Sequence, residues 1–265
     1  MGRATYDFSG ETVMVTGSAR GFGRVLSQAF AAAEANVAMC DIDADGGAQT
    51  LALVERAGGT GTFTRTDVSI EDEVAGLVDA TVERFGRLDV GVNNACGEVA
   101  GPTLDLPSST FDDLIDTNLK GVYYGMRHEV RAMRASGGGV IVNQSSVTSD
   151  IEAEPSNGLY GATKGGVNAL TKSAAVQVAR EGIRINAIAS ALHDTPGDVW
   201  HRFSKDQGLD FDAFKGFVPL ERYGTAAEIC GATMFLCSDA AGFVVGEVLA
   251  CDGGWTIPAP GSYGA

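Results

Sequence analysis

Short apolar runs alternate with stretches of helical period from one end of the chain to the other. Residues 12–16, 36–41, 61–66, 88–92, 139–143, 183–187 and 248–251 read as strands. Residues 24–35, 44–56, 69–85, 108–135, 159–180 and 226–236 read as helices, with 108–135 long enough for one helix or a pair. Ser69, with Asp72 three residues on, resembles a capping box at the start of its helix. Strands with apolar residues on both faces, each followed by a helix, predict a parallel sheet covered on both sides. Right-handed crossovers then give an α/β, Rossmann-type doubly wound sheet of about seven strands. No linker or solenoid repeat interrupts the pattern, so residues 1–265 are predicted to form one domain. Only 193–217 lacks clear periodicity, and a long loop in a compact fold is often functional.

The first strand runs into Thr16-Gly-Ser-Ala-Arg-Gly-Phe-Gly23 and then a helix. Gly17, Gly21 and Gly23 permit a tight turn and let a helix N-terminus approach a pyrophosphate, with Arg20 and Phe22 between them. Asp41 ends the second strand about 20 residues on, where a carboxylate accepts the hydroxyls of an adenosine ribose and repels a 2′-phosphate. Capping of the following helix is the alternative for Asp41, although Asp43 is also placed for it. Arg20 favours a 2′-phosphate, but a carboxylate at hydrogen-bond range outweighs a flexible, solvated cation, so NAD is expected over NADP. Asp67 and Val68 follow the third strand, where an Asp holds an adenine amino group or simply makes a turn.

Composition narrows the picture. Lys and Arg number 19 against 34 Asp and Glu, a net charge of −15, which argues against nucleic acid and anionic membranes as partners. The excess acid suits solubility or a salt-tolerant surface. No apolar stretch is long enough to span a bilayer, and the first residues lack a signal-peptide pattern. Five cysteines at no metal-binding spacing read as reduced thiols of a cytoplasmic protein, and the three histidines form no metal cluster with them.

The ordered motifs resemble those of the classical short-chain dehydrogenase/reductase family, over nearly the whole chain. The glycine loop is similar to its T-G-x-x-x-G-x-G, and Asn93-Asn94-Ala95-Cys96 to its N-N-A-G. Asn118 stands where the family has its catalytic Asn, Ser145-Ser146 follows a strand, and Tyr160-Gly-Ala-Thr-Lys164 matches Y-x-x-x-K. Asp252-Gly253-Gly254 resembles its closing turn. The resemblance implies an oxidoreductase interconverting a secondary alcohol and a ketone. It implies Asn118, Ser146, Tyr160 and Lys164 as catalytic residues, Asn94, Ala95 and Thr195 at the cofactor with the glycine loop, a substrate lid over 193–217, and a homotetramer. Tyr160 and Lys164, four apart on one helix, share a face. A free Tyr titrates near about 10, so it serves as a base only with cations beside it. Lys164 and an oxidised nicotinamide ring are the cations expected. Ser145 competes with Ser146 for the role of orienting the substrate oxygen.

Three departures stand out. Cys96 replaces the usual Gly. Ser190-Ala191 replaces Pro-Gly, so the loop leading to Thr195 is expected to take a different path, with Ile188 and Thr195 near the carboxamide. The segment 193–217 carries Trp200, Phe203, Phe211, Phe214 and Phe217, which either pack a helix or give the substrate site an apolar character suited to a cyclic body. Glu152 and Glu154 follow Ser146 and either meet a polar substrate group or stay solvated. The small residues Gly165, Gly166, Ala169, Ala174 and Ala175 suit close helix pairing between subunits or packing within one. An NADPH-dependent ketoreductase, such as a 3-oxoacyl thioester reductase, is the alternative enzyme. A non-catalytic dinucleotide-binding regulator is the alternative of another class.

Overall fold

The computed structural model describes residues 4–99, 101–149, 157–194, 205, 215–216 and 218–257. The chain runs β1 (Thr12–Thr16), α1 (Gly21–Ala32), β2 (Asn36–Asp41), α2 (Ala44–Arg56), β3 (Thr60–Arg65), α3 (Glu71–Phe85), β4 (Val90–Asn93), α4 (Ser108–Leu114) and α5 (Gly121–Ser136). It continues through β5 (Gly139–Ser146), α6 (Gly158–Val178), β6 (Ile183–Ser190), the short pair β7 (His193–Asp194) and β8 (Gly224–Thr225), α7 (Ala226–Cys237) and β9 (Val248–Cys251). The seven strands of the main sheet are parallel in the order β3-β2-β1-β4-β5-β6-β9. Strand order reverses beside β1, which puts a crevice between the carboxyl ends of β1 and β4, the usual place for a ligand in such a sheet.

Alternate residues of each strand feed two cores. Val13, Val15, Val37, Met39 and Val92 pack with Leu26 and Phe30 of α1 and Ile229 of α7. Met14, Ala38, Cys40, Ile141 and Ile185 face the other way, onto Leu77 of α3, Met126 of α5 and Val167 of α6. That division explains strands apolar on both faces. Among the described residues no helix is long and apolar enough to cross a membrane.

Several elements differ from the sequence reading. The stretch 108–135 is two helices joined by a π-helical turn over Ile115–Lys120, which carries the fully buried Asn118. Such turns interrupt a helix and re-aim its side chains. Ser69 makes no capping box. Its N–H and hydroxyl both donate to Asp67 Oδ1, at 3.0 and 2.6 Å, and α3 begins after Ile70 without a side-chain cap. The capping box belongs to α7, where Thr225 and Glu228 bond reciprocally. β5 and β6 each run three residues past the apolar run, to Ser146 and Ser190, and stay in register with one another.

One core position is unusual. Glu129 of α5 is fully buried beneath the sheet. Its Oε2 accepts a 2.9 Å bond from Asn93 Nδ2, while Oε1 has no partner. Gly91 of β4 makes the space, since a Cβ there would collide with the Glu129 carboxyl. Asn93 Nδ2 also donates to Asn143 Oδ1 at 3.0 Å, and Asn143 Nδ2 to Thr171 Oγ1 at 2.9 Å. This chain of amides ties β4, β5 and α6 together below the crevice.

Candidate active site

The glycine loop and the Asn94 loop meet at the ends of β1 and β4. Asn94 Nδ2 donates to the carbonyls of Thr16 and Gly17, at 2.9 and 3.1 Å, and the backbone N–H groups of Asn94 and Ala95 donate to Thr16 Oγ1. Gly17 has φ +67, and a Cβ on it would stand 2.7 Å from Ala95 Cα. Glycine is therefore required there by conformation and by contact. Asp41 Oδ2 accepts from Ala19 N at 2.9 Å and Oδ1 from Asp43 N at 3.0 Å. Asp43, and not Asp41, caps α2 through Gly46 N. Each Asp41 oxygen keeps acceptor capacity for a ribose hydroxyl. Arg20 stands exposed at the N-cap of α1, its side chain making no cap bond.

Across the crevice, Tyr160 and Lys164 lie on one face of α6 with Lys164 Nζ 5.4 Å from the centre of the Tyr160 ring. Both are buried. Lys164 Nζ donates to the Gln144 carbonyl at 2.8 Å, which leaves two of its three N–H donors for a ligand. Ser146 lies close enough to Tyr160 to pull its pKa down, and it accepts from Thr148 N and Oγ1 at 3.2 and 3.0 Å. Ser145 is turned elsewhere: its hydroxyl donates to Asn168 Oδ1 at 2.6 Å. Ser146, the serine that the resemblance points to, is thus the one beside Tyr160, while Ser145 is engaged with Asn168. Asn118 holds Gly97 from both sides, accepting its N–H at 2.7 Å and donating to its carbonyl at 2.9 Å, and donates to Thr163 Oγ1 at 3.2 Å. The π-helical turn therefore links the Asn94 loop to α6.

The electrostatics at Tyr160 are those of a buried phenol. Burial pushes the Tyr160 phenol well above its usual range, and Cys96 and Glu98 push the same way, with the Ser146 hydroxyl opposing. The expected lowering of the Tyr160 pKa rests on Lys164 together with an oxidised nicotinamide ring. Cys96 is exposed by area, yet desolvation raises its thiol pKa, with Lys164 opposing. Glu98, two residues on, is pushed up to about 7 by desolvation, against the attraction of Lys164 and Arg20.

The Ser190-Ala191 departure has a definite structure. β6 continues to Ser190, whose hydroxyl accepts from Gln144 Nε2 at 2.8 Å, and Ala191 N donates to the Cys251 carbonyl at 3.2 Å. Buried His193 follows. Its Nδ1 lies 2.9 Å from the Ala191 carbonyl, its Nε2 3.5 Å from Cys251 Sγ, and its ring meets Phe22 edge-on at 5.5 Å. Burial lowers the His193 pKa, and burial raises the Cys251 thiol to about 11, so a neutral imidazole faces a neutral thiol. His193 thereby joins Phe22, beside the glycine loop, to the end of β9.

The family model described as enoyl-(acyl carrier protein) reductase matches residues 17–256. The chain is 37% identical over 256 residues to cis-4-hydroxycyclohexanecarboxylate dehydrogenase of Sinomonas cyclohexanicum, covering 94% of this chain and 98% of that one. It belongs to the classical short-chain dehydrogenase/reductase family. It is also 36% identical over 252 residues to a 2,5-dichloro-2,5-cyclohexadiene-1,4-diol dehydrogenase of Sphingobium indicum, covering 94% and 98% of the two chains. The crystal structure of NAD+-bound xylitol dehydrogenase superposes with a TM-score of 0.87 at 30% identity, covering 92% of this chain and 98% of that one. Like its relatives in the short-chain family, the protein is an oxidoreductase.

Other expected positions are mixed. Asp67 serves the turn before α3, through Ser69, and buried Val68 packs against Gly121. The Ile188 side chain is buried in the apolar core. Gly166 rests on Leu119 and Ala175 lies in the core, so part of the small-residue face packs within the chain, while Ala169 is exposed. Thr195, Glu152, Glu154, Trp200, Phe203, Phe211, Phe214, Phe217 and most of the expected lid over 193–217 lie outside the described residues. All five cysteines are free, and no cluster among the described residues is fit to hold a metal. Glu98 was missed. Its signal was an acid two residues beyond Cys96, in a loop already assigned to the cofactor.

Proposed function

We propose that the protein is an NAD-dependent oxidoreductase that interconverts a secondary alcohol and a ketone, with Tyr160 as general acid/base. The carrying observation is the meeting of Tyr160, Ser146 and Lys164 at the crevice that the glycine loop borders. When bound, the dinucleotide supplies the hydride acceptor and a positive ring near Tyr160. Gly17, Gly21, Phe22 and Gly23 form the wall for its phosphates. Asp41 accepts from the adenosine ribose, and the free donors of Lys164 serve the nicotinamide ribose. Ser146 donates to the substrate oxygen while Tyr160 takes its proton in oxidation, or returns it in reduction. Asn118 steadies the loop that lines the site and offers a carbonyl oxygen to a water leading protons from Lys164 outward.

The substrate is a small cyclic alcohol or ketone, in keeping with the ring compounds named for two relatives. The acting form is a cytoplasmic homotetramer, one domain per chain, with the segment 193–217 as its lid. Exposed Phe111 and Tyr123 beside the Asn118 turn suit such an assembly. Arg20 beside Gly21 is the observation that favours NADP, and the test weighs it against Asp41. Cyclic and linear secondary alcohols assayed with NAD and NADP in parallel should show kcat/KM with NAD higher by about 10-fold or more, the equivalent of about 1.4 kcal/mol of repulsion at Asp41. Equal or faster rates with NADP contradict the Asp41 assignment, and turnover with neither contradicts the whole reading.

A further inference from the structure

The loop after β4 brings to the reacting end of the crevice a carboxyl that the mechanism above does not use. Asn118 fixes the Gly97 backbone from both sides, one residue before Glu98. Glu98 itself is half-buried. Its charge is felt by Tyr160, and it in turn feels Lys164 and Arg20, so it stands among the groups proposed to do the chemistry. Yet no hydrogen bond or salt bridge joins its carboxyl to a described residue. Asp41, Asp43, Asp67 and Glu73, the other acids near the crevice and its flanks, all accept from backbone N–H groups.

A desolvated carboxyl without a hydrogen-bond partner is unfavourable, and a substrate that supplies the partner relieves the penalty. Resting on the reading of Tyr160 given above, we propose that Glu98 is a specificity-determining residue that hydrogen-bonds a second oxygen function of the substrate, so that ring alcohols bearing a further hydroxyl or carbonyl are preferred to plain ones. Its protonation midpoint of about 7 suits both members of a redox pair. The acid donates to a carbonyl and the anion accepts from a hydroxyl. Glu98 also acts on Tyr160 through charge, but that influence is shared by every substrate. A ratio of rates between two substrates therefore isolates the proposed contact.

The experiment compares cyclohexanol with the vicinal and para cyclohexanediols, using wild type, Glu98→Leu and Glu98→Gln with NAD at neutral pH. The wild type should favour at least one diol in kcat/KM by about 10- to 100-fold, the range for one hydrogen bond to a charged group. Glu98→Leu should bring that ratio to about one by losing the diol, and Glu98→Gln, which keeps a donor and an acceptor, should restore part of it. A wild-type enzyme that oxidises cyclohexanol as well as every diol overturns the Glu98 proposal alone. So does a ratio that survives in Glu98→Leu, because the variant then changes all substrates together. No oxidation of any of these alcohols by wild type overturns the underlying reading, and the proposal with it.

Discussion

Tyr160→Phe is expected to lower kcat by about 1,000-fold, within the usual range for losing a general acid/base, while the dissociation constant for NAD changes by less than about 3-fold. In the proposed reaction the Tyr160 hydroxyl, with Ser146 beside it, exchanges the proton with the substrate oxygen. Burial holds its phenol well above the usual range, and in the proposed reaction the charge of the oxidised nicotinamide ring opposes that shift. Phe keeps the ring against Lys164 Nζ and removes only the oxygen. Stopped-flow or steady-state formation of reduced nicotinamide measures kcat, and titration calorimetry measures binding. Retained turnover in Tyr160→Phe contradicts the assignment.

Glu129→Gln should change how stability responds to pH. The folded protein holds the Glu129 carboxyl at about 7, against the ordinary 4.5 of the unfolded chain, because burial disfavours its charge. A carboxyl raised in the native state is protonated more in the folded chain than in the unfolded one between those values, so stability falls as pH rises through that window. Its contribution is complete below 4.5 and lost above about 7. The loss amounts to roughly 3 kcal/mol at alkaline pH. Gln imitates the protonated acid and still accepts from Asn93. Glu98, raised in the same direction, stays in both proteins and cancels in the comparison. Denaturant unfolding of wild type and variant across pH should give curves that converge in acid and separate by roughly 3 kcal/mol near pH 8, the variant being the more stable. A constant gap across pH contradicts a buried carboxyl.

What could be read from the sequence followed from periodicity and from side chains with fixed partners. Strands such as Thr12–Thr16 and Asn36–Asp41 were legible because both faces are buried, leaving an uninterrupted apolar run. The ends of β5 and β6 were not, since Gln144, Ser145, Ser146 and Ser190 are polar residues in sheet positions and look like loop. Their polarity is the site itself: the Gln144 carbonyl anchors Lys164 and Ser146 meets Tyr160. The capping box was misplaced at Ser69 because the hydroxyl's nearer partner is the Asp67 carboxylate, a competition that spacing alone does not reveal. Ser146 was legible from the resemblance, but what Ser145 does instead, donating to Asn168 of α6, needed the third dimension. His193 and Cys251, 58 residues apart, are joined only by the sheet. Glu129 was invisible as a core residue for the opposite reason: a charged residue on a helix reads as surface, and its pocket is made by Gly91 on another strand.

The central claim is direct transfer of hydride from a secondary alcohol to the nicotinamide ring. The decisive measurement uses cyclohexanol, or whichever ring alcohol proves active, deuterated at the carbinol carbon, with mass analysis of the reduced dinucleotide after turnover. One deuterium in the ring of each reduced dinucleotide formed is the result predicted. Reduced dinucleotide free of label, or loss of alcohol without dinucleotide reduction, would contradict the account.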